Sequence, residues 1–245
     1  MHKLTERYVI ERYKDPVRLK GYTDKTNRGL TKEEQVVVDG FLHKGSILDV
    51  GCGTGREALA LAKQGFDVTA IDISEAMISV AKKQVKEKNV HFEVSDILDY
   101  QKGGFDNVIF FNNIFEQLPS RSKREESIKK AYSLLKEDGT LILTTHSIFV
   151  PGRYGWDWIC LLSRVVRFYV KKLLHISAEE NSPFDLILEE ENIYAHFSNP
   201  LAIRRLLKKR GFRVISINSG KSLRSNKNSV IRYLFNEPVY YVCKK

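Results

Sequence analysis

The sequence predicts an α/β domain built on a parallel sheet of seven strands, and three observations carry that prediction. Continuous or period-2 apolar runs alternate with period-3.6 runs from about Thr31 to Phe149, which is how successive βα units read. A cluster of glycines lies directly after the first apolar run and directly before a helical pattern. The 245 residues, 42% of them hydrophobic, can also bury a sizeable core without staples, which excludes disorder and fibrous architectures.

The elements follow in order. Thr31 with Glu34 is a capping-box pattern opening a short helix from Val36 to Leu42, and Ser46 to Val50 reads as the first strand. Gly55 to Gln64 is a helix with Ala58, Leu59, Leu61 and Ala62 on its apolar side, and Phe66 to Ile71 is the second strand. Ser74 suits an N-cap for a helix from Glu75 to Lys88, whose Lys82, Lys83, Lys86 and Lys88 match the negative end of a helix dipole. Val90 to Val94 and Phe105 to Phe111 give two further strands, followed by a charged helix from Ser120 to Lys136, an Asp138-Gly139 turn and a fifth strand from Thr140 to Thr145. Asn199 and Pro200 open a helix from Leu201 to Arg210 that Gly211 ends, and Phe212 to Ile217 and Val239 to Cys243 complete seven strands. The interval from Ser147 to Ser198 is too long for a structureless connection in a compact domain and is expected to form an inserted helical cap.

Charge and cysteine usage narrow the class. Cys52, Cys160 and Cys243 are far apart and form no CxxC pair, so neither a disulfide framework nor a metal site is indicated and a reducing, cytoplasmic setting is expected. The first residues carry no apolar run of signal-peptide length. The longest apolar stretch, Trp156 to Ile176, is interrupted by Arg164, Arg167, Lys171 and Lys172, which excludes a spanning helix and leaves an amphipathic one. Three readings of it stand open: a cap over an acceptor pocket, a membrane-surface helix, and a dimer face. Residues 201–236 hold ten basic residues and no acid, equal to the net charge of +10. Such a run attracts phosphates, of RNA among others, and equally suits a solvated helix face.

The glycine-rich loop Gly51-Cys52-Gly53-Thr54-Gly55 is the strongest local signal. It departs from the dinucleotide pattern GxGxxG: the third glycine comes one place early, and Arg56 stands where that pattern needs it. Asp49, two places before the first glycine, favours a ligand carrying an ammonium or sulfonium over a pyrophosphate. Asp72 ends the second strand about 20 residues after Gly51, where an acid accepts from ribose hydroxyls, and Asp96 ends the third, where a carboxylate can accept from an adenine amine.

Taken together, Asp49 to Gly55, Ala70 to Ser74 with Met77, Ser95-Asp96-Ile97, Phe105-Asp106 into Asn112-Asn113, and Leu135 to Thr140 resemble the class I S-adenosylmethionine-dependent methyltransferases. The resemblance covers Ser46 to Thr145, with a weaker match at His196 to Pro200 and Arg210 to Val214. It implies a doubly wound, seven-stranded sheet whose last strand is antiparallel, with helices on both faces. It also implies S-adenosyl-L-methionine as the cofactor. Gly51, Cys52, Gly53 and Gly55 would line its methionine moiety, Asp49 would hold the amino group through water, and Asp72 would take the ribose. Asp96 and Ile97 would take the adenine, with Ile73, Met77 and Asn112 completing the donor site. The arrangement expected is an N-terminal helical flap over residues 1–45 that includes Tyr13 and Tyr22, a donor-binding core over 46–146, the cap over 147–198, and the rest of the core over 199–245.

Methyl transfer from a sulfonium needs alignment and water exclusion before it needs a base. Where the acceptor must lose a proton, His146, just after the fifth strand, is the candidate base, and Asn113 is a candidate for positioning the acceptor. The Asn-Pro-Pro-aromatic signature of amino-methylating nucleic-acid enzymes is missing at Asn112-Asn113, which favours a small, amphipathic or anionic organic acceptor. An RNA methyltransferase using the C-terminal basic run and a donor-binding relative without turnover are the alternatives.

Overall fold

The computed structural model describes residues 10–11, 13–112, 114–149, 158–174, 185–188, 193–225 and 238–245. Helices α1 (Pro16–Thr26) and α2 (Lys32–Phe41) precede the first strand, β1 (Ser46–Val50). Asp15 caps α1 by accepting from the N–H groups of Val17 and Arg18, with Pro16 in the first turn. The capping box of α2 forms in full: Thr31 accepts from Glu34 N–H while Glu34 accepts from Thr31 N–H.

Then follow α3 (Arg56–Lys63), β2 (Asp67–Asp72), α4 (Glu75–Gln84), β3 (Val90–Val94), β4 (Phe105–Phe110), α5 (Ile114–Gln117), α6 (Arg121–Leu134) and β5 (Leu135–Thr145). The chain continues through α7 (Trp158–Leu173), β6 (Asp185–Leu188), β7 (Ile193–His196), α8 (Pro200–Lys209), β8 (Arg213–Ser219), α9 (Gly220–Ser225) and β9 (Val239–Lys244). Seven strands form one sheet in the order β3-β2-β1-β4-β5-β9-β8. The first five are mutually parallel, and β9 is antiparallel to both neighbours. The order reverses between β1 and β4, and the crevice beyond that switch point is where doubly wound sheets bind ligands.

Both faces of the sheet are covered, so its central strands are apolar at consecutive positions. Ile47, Ile109 and Ile142 point into a core shared with Val37 and Val38 of α2, Ala58 and Leu61 of α3, and Ile78 and Ala81 of α4. Their neighbours Leu48, Phe110 and Leu143 point into the other core, with Ile128 and Ala131 of α6 and Leu207 of α8. Each fully buried side chain of this size contributes about 1.5–3 kcal/mol relative to exposure.

Three expectations are corrected. The helix after β2 stops at Gln84 rather than Lys88: Val85 turns extended and packs against the core shared with α2, α3 and α4, which leaves Lys86 and Lys88 beyond the last turn. The fifth strand begins at Leu135, directly after α6, and the Asp138-Gly139 turn survives inside it as an irregularity, with Asp138 at φ 60° and the register to β4 shifting between Phe105 and Asn107. The insertion over 147–198 is not helical throughout: besides α7 it contains the antiparallel pair β6 and β7. It leaves and rejoins the domain at one point, where Ser147 bridges Ser198 and Ser198 N–H donates to the His146 carbonyl. Among the described residues no helix is long and apolar enough to cross a membrane.

Candidate active site

The glycine loop is fastened to the end of β2. Gly51 and Cys52 donate their N–H groups to the Ile71 carbonyl at 2.8 and 3.1 Å. Gly53 N–H donates to Asp72 Oδ2 at 2.9 Å, and Ser74 N–H donates to the other oxygen at 2.8 Å. Gly53 has φ 54° and open space where a Cβ would stand, so a ligand can approach its backbone closely. Gly55 serves packing instead: at φ 89° it opens α3, and a Cβ there would lie 2.7 Å from the ring of Phe92.

Above the loop lies a cavity of about 680 Å³, within the size range of small-molecule sites. Gly51, Cys52, Gly53, Asp72, Ile73, Met77, Asp96, Ile97, Asn112 and His146 all line it, bringing together most of the residues expected there. Asp49 and Gly55 are not part of its wall; the first is buried beneath the loop and the second faces β3 and α4. Asn113 lies outside the described residues.

Beside the loop, and partly in the cavity wall, one cation meets several carboxylates. Arg56 donates to both oxygens of Glu34, to Glu57, to the Gly29 carbonyl and to Asn112 Oδ1, while the amide of Asn112 donates to Glu57. Burial pushes the Glu57 carboxyl up to about 7 despite Arg56 beside it. Desolvation, reinforced by Glu57, also holds the Asp49 carboxyl well above the usual range, and its Oδ2 has no hydrogen-bond partner among the described residues. A buried acid with an unpaired oxygen beside a glycine cradle fits a cationic ligand group.

The far end of the cavity presents His146. Its backbone N–H donates to Glu116 Oε2 at 2.7 Å, and its ring Nδ1 lies 2.7 Å from the same oxygen. Facing a carboxylate oxygen, Nδ1 is the ring nitrogen placed to donate. Glu116, on α5, is fully buried. Around the rim stand Tyr13 and Tyr22, whose rings meet edge to face at 5.5 Å, with Lys25, Arg28, Ile114, Leu118 and Phe197.

Sequence reasoning did not single out Glu116, Glu34, Glu57, Lys25 or Arg28. The capping box pointed to Glu34, but only as a helix start. The others come from segments that meet only once the strand ends are brought side by side.

Residues 47–139 match the methyltransferase domain family. A Geobacillus relative, named provisionally as a methyltransferase, is 38% identical over 106 residues, or 42% of this chain, and the match spans only 43% of that relative's length. A ubiquinone biosynthesis O-methyltransferase of Coxiella burnetii is 28% identical over 189 residues, covering 76% of this chain and 69% of the relative. In structure, the magnesium protoporphyrin IX methyltransferase of Synechocystis, solved with bound S-adenosylhomocysteine, superposes with a TM-score of 0.60 at 16% identity, covering 98% of this chain and 100% of that one. The family match lies on the segment that builds β1 to β5 and the glycine loop: residues 47–139 match a methyltransferase domain, and the fold is shared with solved S-adenosylmethionine-dependent methyltransferases.

Proposed function

We propose that the chain binds S-adenosylmethionine over the glycine loop and transfers its methyl group to a small, amphipathic or anionic organic acceptor. The observation that carries the reading is the cavity wall in which the open backbone of Gly53 stands beside Asp72 and Asp96, at the ends of neighbouring strands. In this reading Asp72 takes the ribose hydroxyls, Asp96 and Ile97 the adenine, and Asp49 the ammonium through water. The bound donor supplies a methyl group already activated on a sulfonium, so the protein's task is alignment and exclusion of water.

The acceptor half is read from what faces it. Tyr13, Tyr22, Leu118 and Phe197 provide an apolar enclosure, and Lys25 and Arg28 bring positive charge to the same cavity, which suits an acceptor with an apolar body and an anionic end. His146 Nε2 is the group to take a proton from an acceptor hydroxyl as it is methylated. A concave cavity of this size suits a small molecule better than a polynucleotide, and the basic run loses part of its charge internally, because Arg210 is paired with Glu125 at 3.1 Å.

Calorimetric titration with S-adenosylmethionine, S-adenosylhomocysteine and NAD tests the donor half. Saturable binding of the first two and none of the third is expected; binding of NAD in their place would overturn the assignment. Incubation with radiolabelled donor and fractionated small-molecule or RNA pools tests the acceptor half, and label entering only RNA would transfer the reading to the RNA alternative.

A further inference from the structure

Among the described residues, helix α7 carries an exposed apolar face. Leu162, Val166, Tyr169, Val170 and Leu173 recur at helical spacing on one side, and their exposures run from 48% to 78%. None of the described side chains of α7 lines the cavity, so a cap over the acceptor pocket does not by itself account for this face. The same helix contains Arg164, Arg167, Lys171 and Lys172 and no acidic residue. Its 16 residues reach about 24 Å, too short to span a bilayer and long enough to lie on one.

We infer that α7 docks the protein onto an anionic membrane surface, with Leu162, Val166, Tyr169, Val170 and Leu173 entering the headgroup boundary. Charge selects this occupant. A second copy placed face to face would bring two helices of four cations each together with no acid between them, and a net charge of +10 repels a like chain. Anionic lipid complements that charge while accepting the apolar face. Placement supports it as well. The insertion that holds α7 joins the domain at His146 and Phe197, both of which line the cavity, so a docked α7 is tethered through the acceptor end of the site.

The test needs neither donor nor acceptor, so its failure and the failure of the proposed function are separable. The chain has two tryptophans, Trp156 and Trp158, at the start of this segment, which makes the unmodified protein its own probe. Full-length protein is mixed with vesicles of phosphatidylcholine alone or with about 30% phosphatidylglycerol, at low salt and at about 0.5 M salt. Co-sedimentation with the anionic vesicles only, weakened by salt, with a blue shift and quenching of tryptophan emission by brominated acyl chains, is expected. Leu162→Asp/Val166→Asp/Leu173→Asp and Arg164→Glu/Arg167→Glu/Lys171→Glu should each lower partitioning about tenfold or more with the circular dichroism melt retained. The inference is overturned if unmodified protein stays in the supernatant, if emission is unquenched, or if the triple-Asp variant binds as well as the parent. A dimer in light scattering that the triple-Asp variant converts to monomer would overturn it in favour of self-association.

Discussion

Arg56 holds the carboxylate of Glu34 with both terminal nitrogens, Nη1 to Oε2 at 2.8 Å and Nη2 to Oε1 at 2.7 Å. The pair joins the first helical turn after the glycine loop to the first turn of α2, and both side chains are largely buried. The arginine that spoils a dinucleotide pattern is thus a bolt between the N-terminal segment and the ligand loop. Removing it leaves Glu34 and Glu57 buried without their cation. Arg56→Met should lower unfolding free energy by about 3 kcal/mol in chemical denaturation, because an uncompensated buried charge costs more than the pair contributes. Arg56→Lys should recover only part of the loss, since an ammonium cannot make the two-pronged contact.

Asp72 already accepts from two backbone N–H groups, so its substitution is expected to act twice. Asp72→Ala should weaken S-adenosylmethionine binding by about 1.5–3 kcal/mol through the lost ribose contacts. It should also lower the thermal midpoint through the freed N–H groups of Gly53 and Ser74. Calorimetry well below the melting range reads the first effect and a thermal scan the second. Unchanged affinity in a folded variant would place the ribose elsewhere.

The contact between Glu116 and His146 is expected to favour one tautomer, and that is measurable without knowing the acceptor. Imidazole ¹⁵N shifts should show His146 as the Nδ1–H form in the parent. In Glu116→Gln, where the acceptor oxygen is neutral, a substantial Nε2–H population should appear. With an acceptor in hand, His146→Ala should slow methyl transfer about 10²-fold or more while leaving donor affinity unchanged.

Glu57 gives stability a pH dependence of definite sign. Its carboxyl, at about 7 in the folded protein, binds a proton more tightly than in the unfolded chain, where it titrates at its ordinary value of 4.5. Its contribution is therefore present below the ordinary range and lost as pH rises through about 7. Denaturation midpoints measured from about pH 5 to about pH 8 should fall across that window, and Glu57→Gln should flatten the fall. Asp49, raised by the same burial, is expected to give up a proton when a cationic ligand arrives. Donor titrations in buffers of different ionisation enthalpy would then report proton release.

Much of the architecture was legible because its signals are local. The Thr31–Glu34 box, the Ser74 cap, the Asn199–Pro200 start and the turn at Gly211 each rest on residues within a few positions of one another, and each lies where the sequence places it. The acids at Asp72 and Asp96 could be assigned to strand ends because strand and turn patterns announce those ends. The end of α4 at Gln84 was not legible: it depends on Val85 finding a core formed by other segments.

By itself, then, the sequence determined the seven strands of the main sheet and the longer helices between them, the glycine loop and the acids that flank it, because hydrophobic period, caps and turns act over one or two helical turns; it did not announce β6, β7, α5 or α9. Tertiary structure alone decided that Glu116 meets His146 across 30 positions and Arg56 meets Glu34 across 22. It also decided that Tyr13, Lys25 and Arg28 line the cavity and that the apolar face of α7 is left exposed. The physical reason is that such contacts depend on strand order. Pairing of β4 with β5, and of β1 with β4 at the point where the order reverses, sets which chain segments emerge side by side, and no local pattern encodes that adjacency.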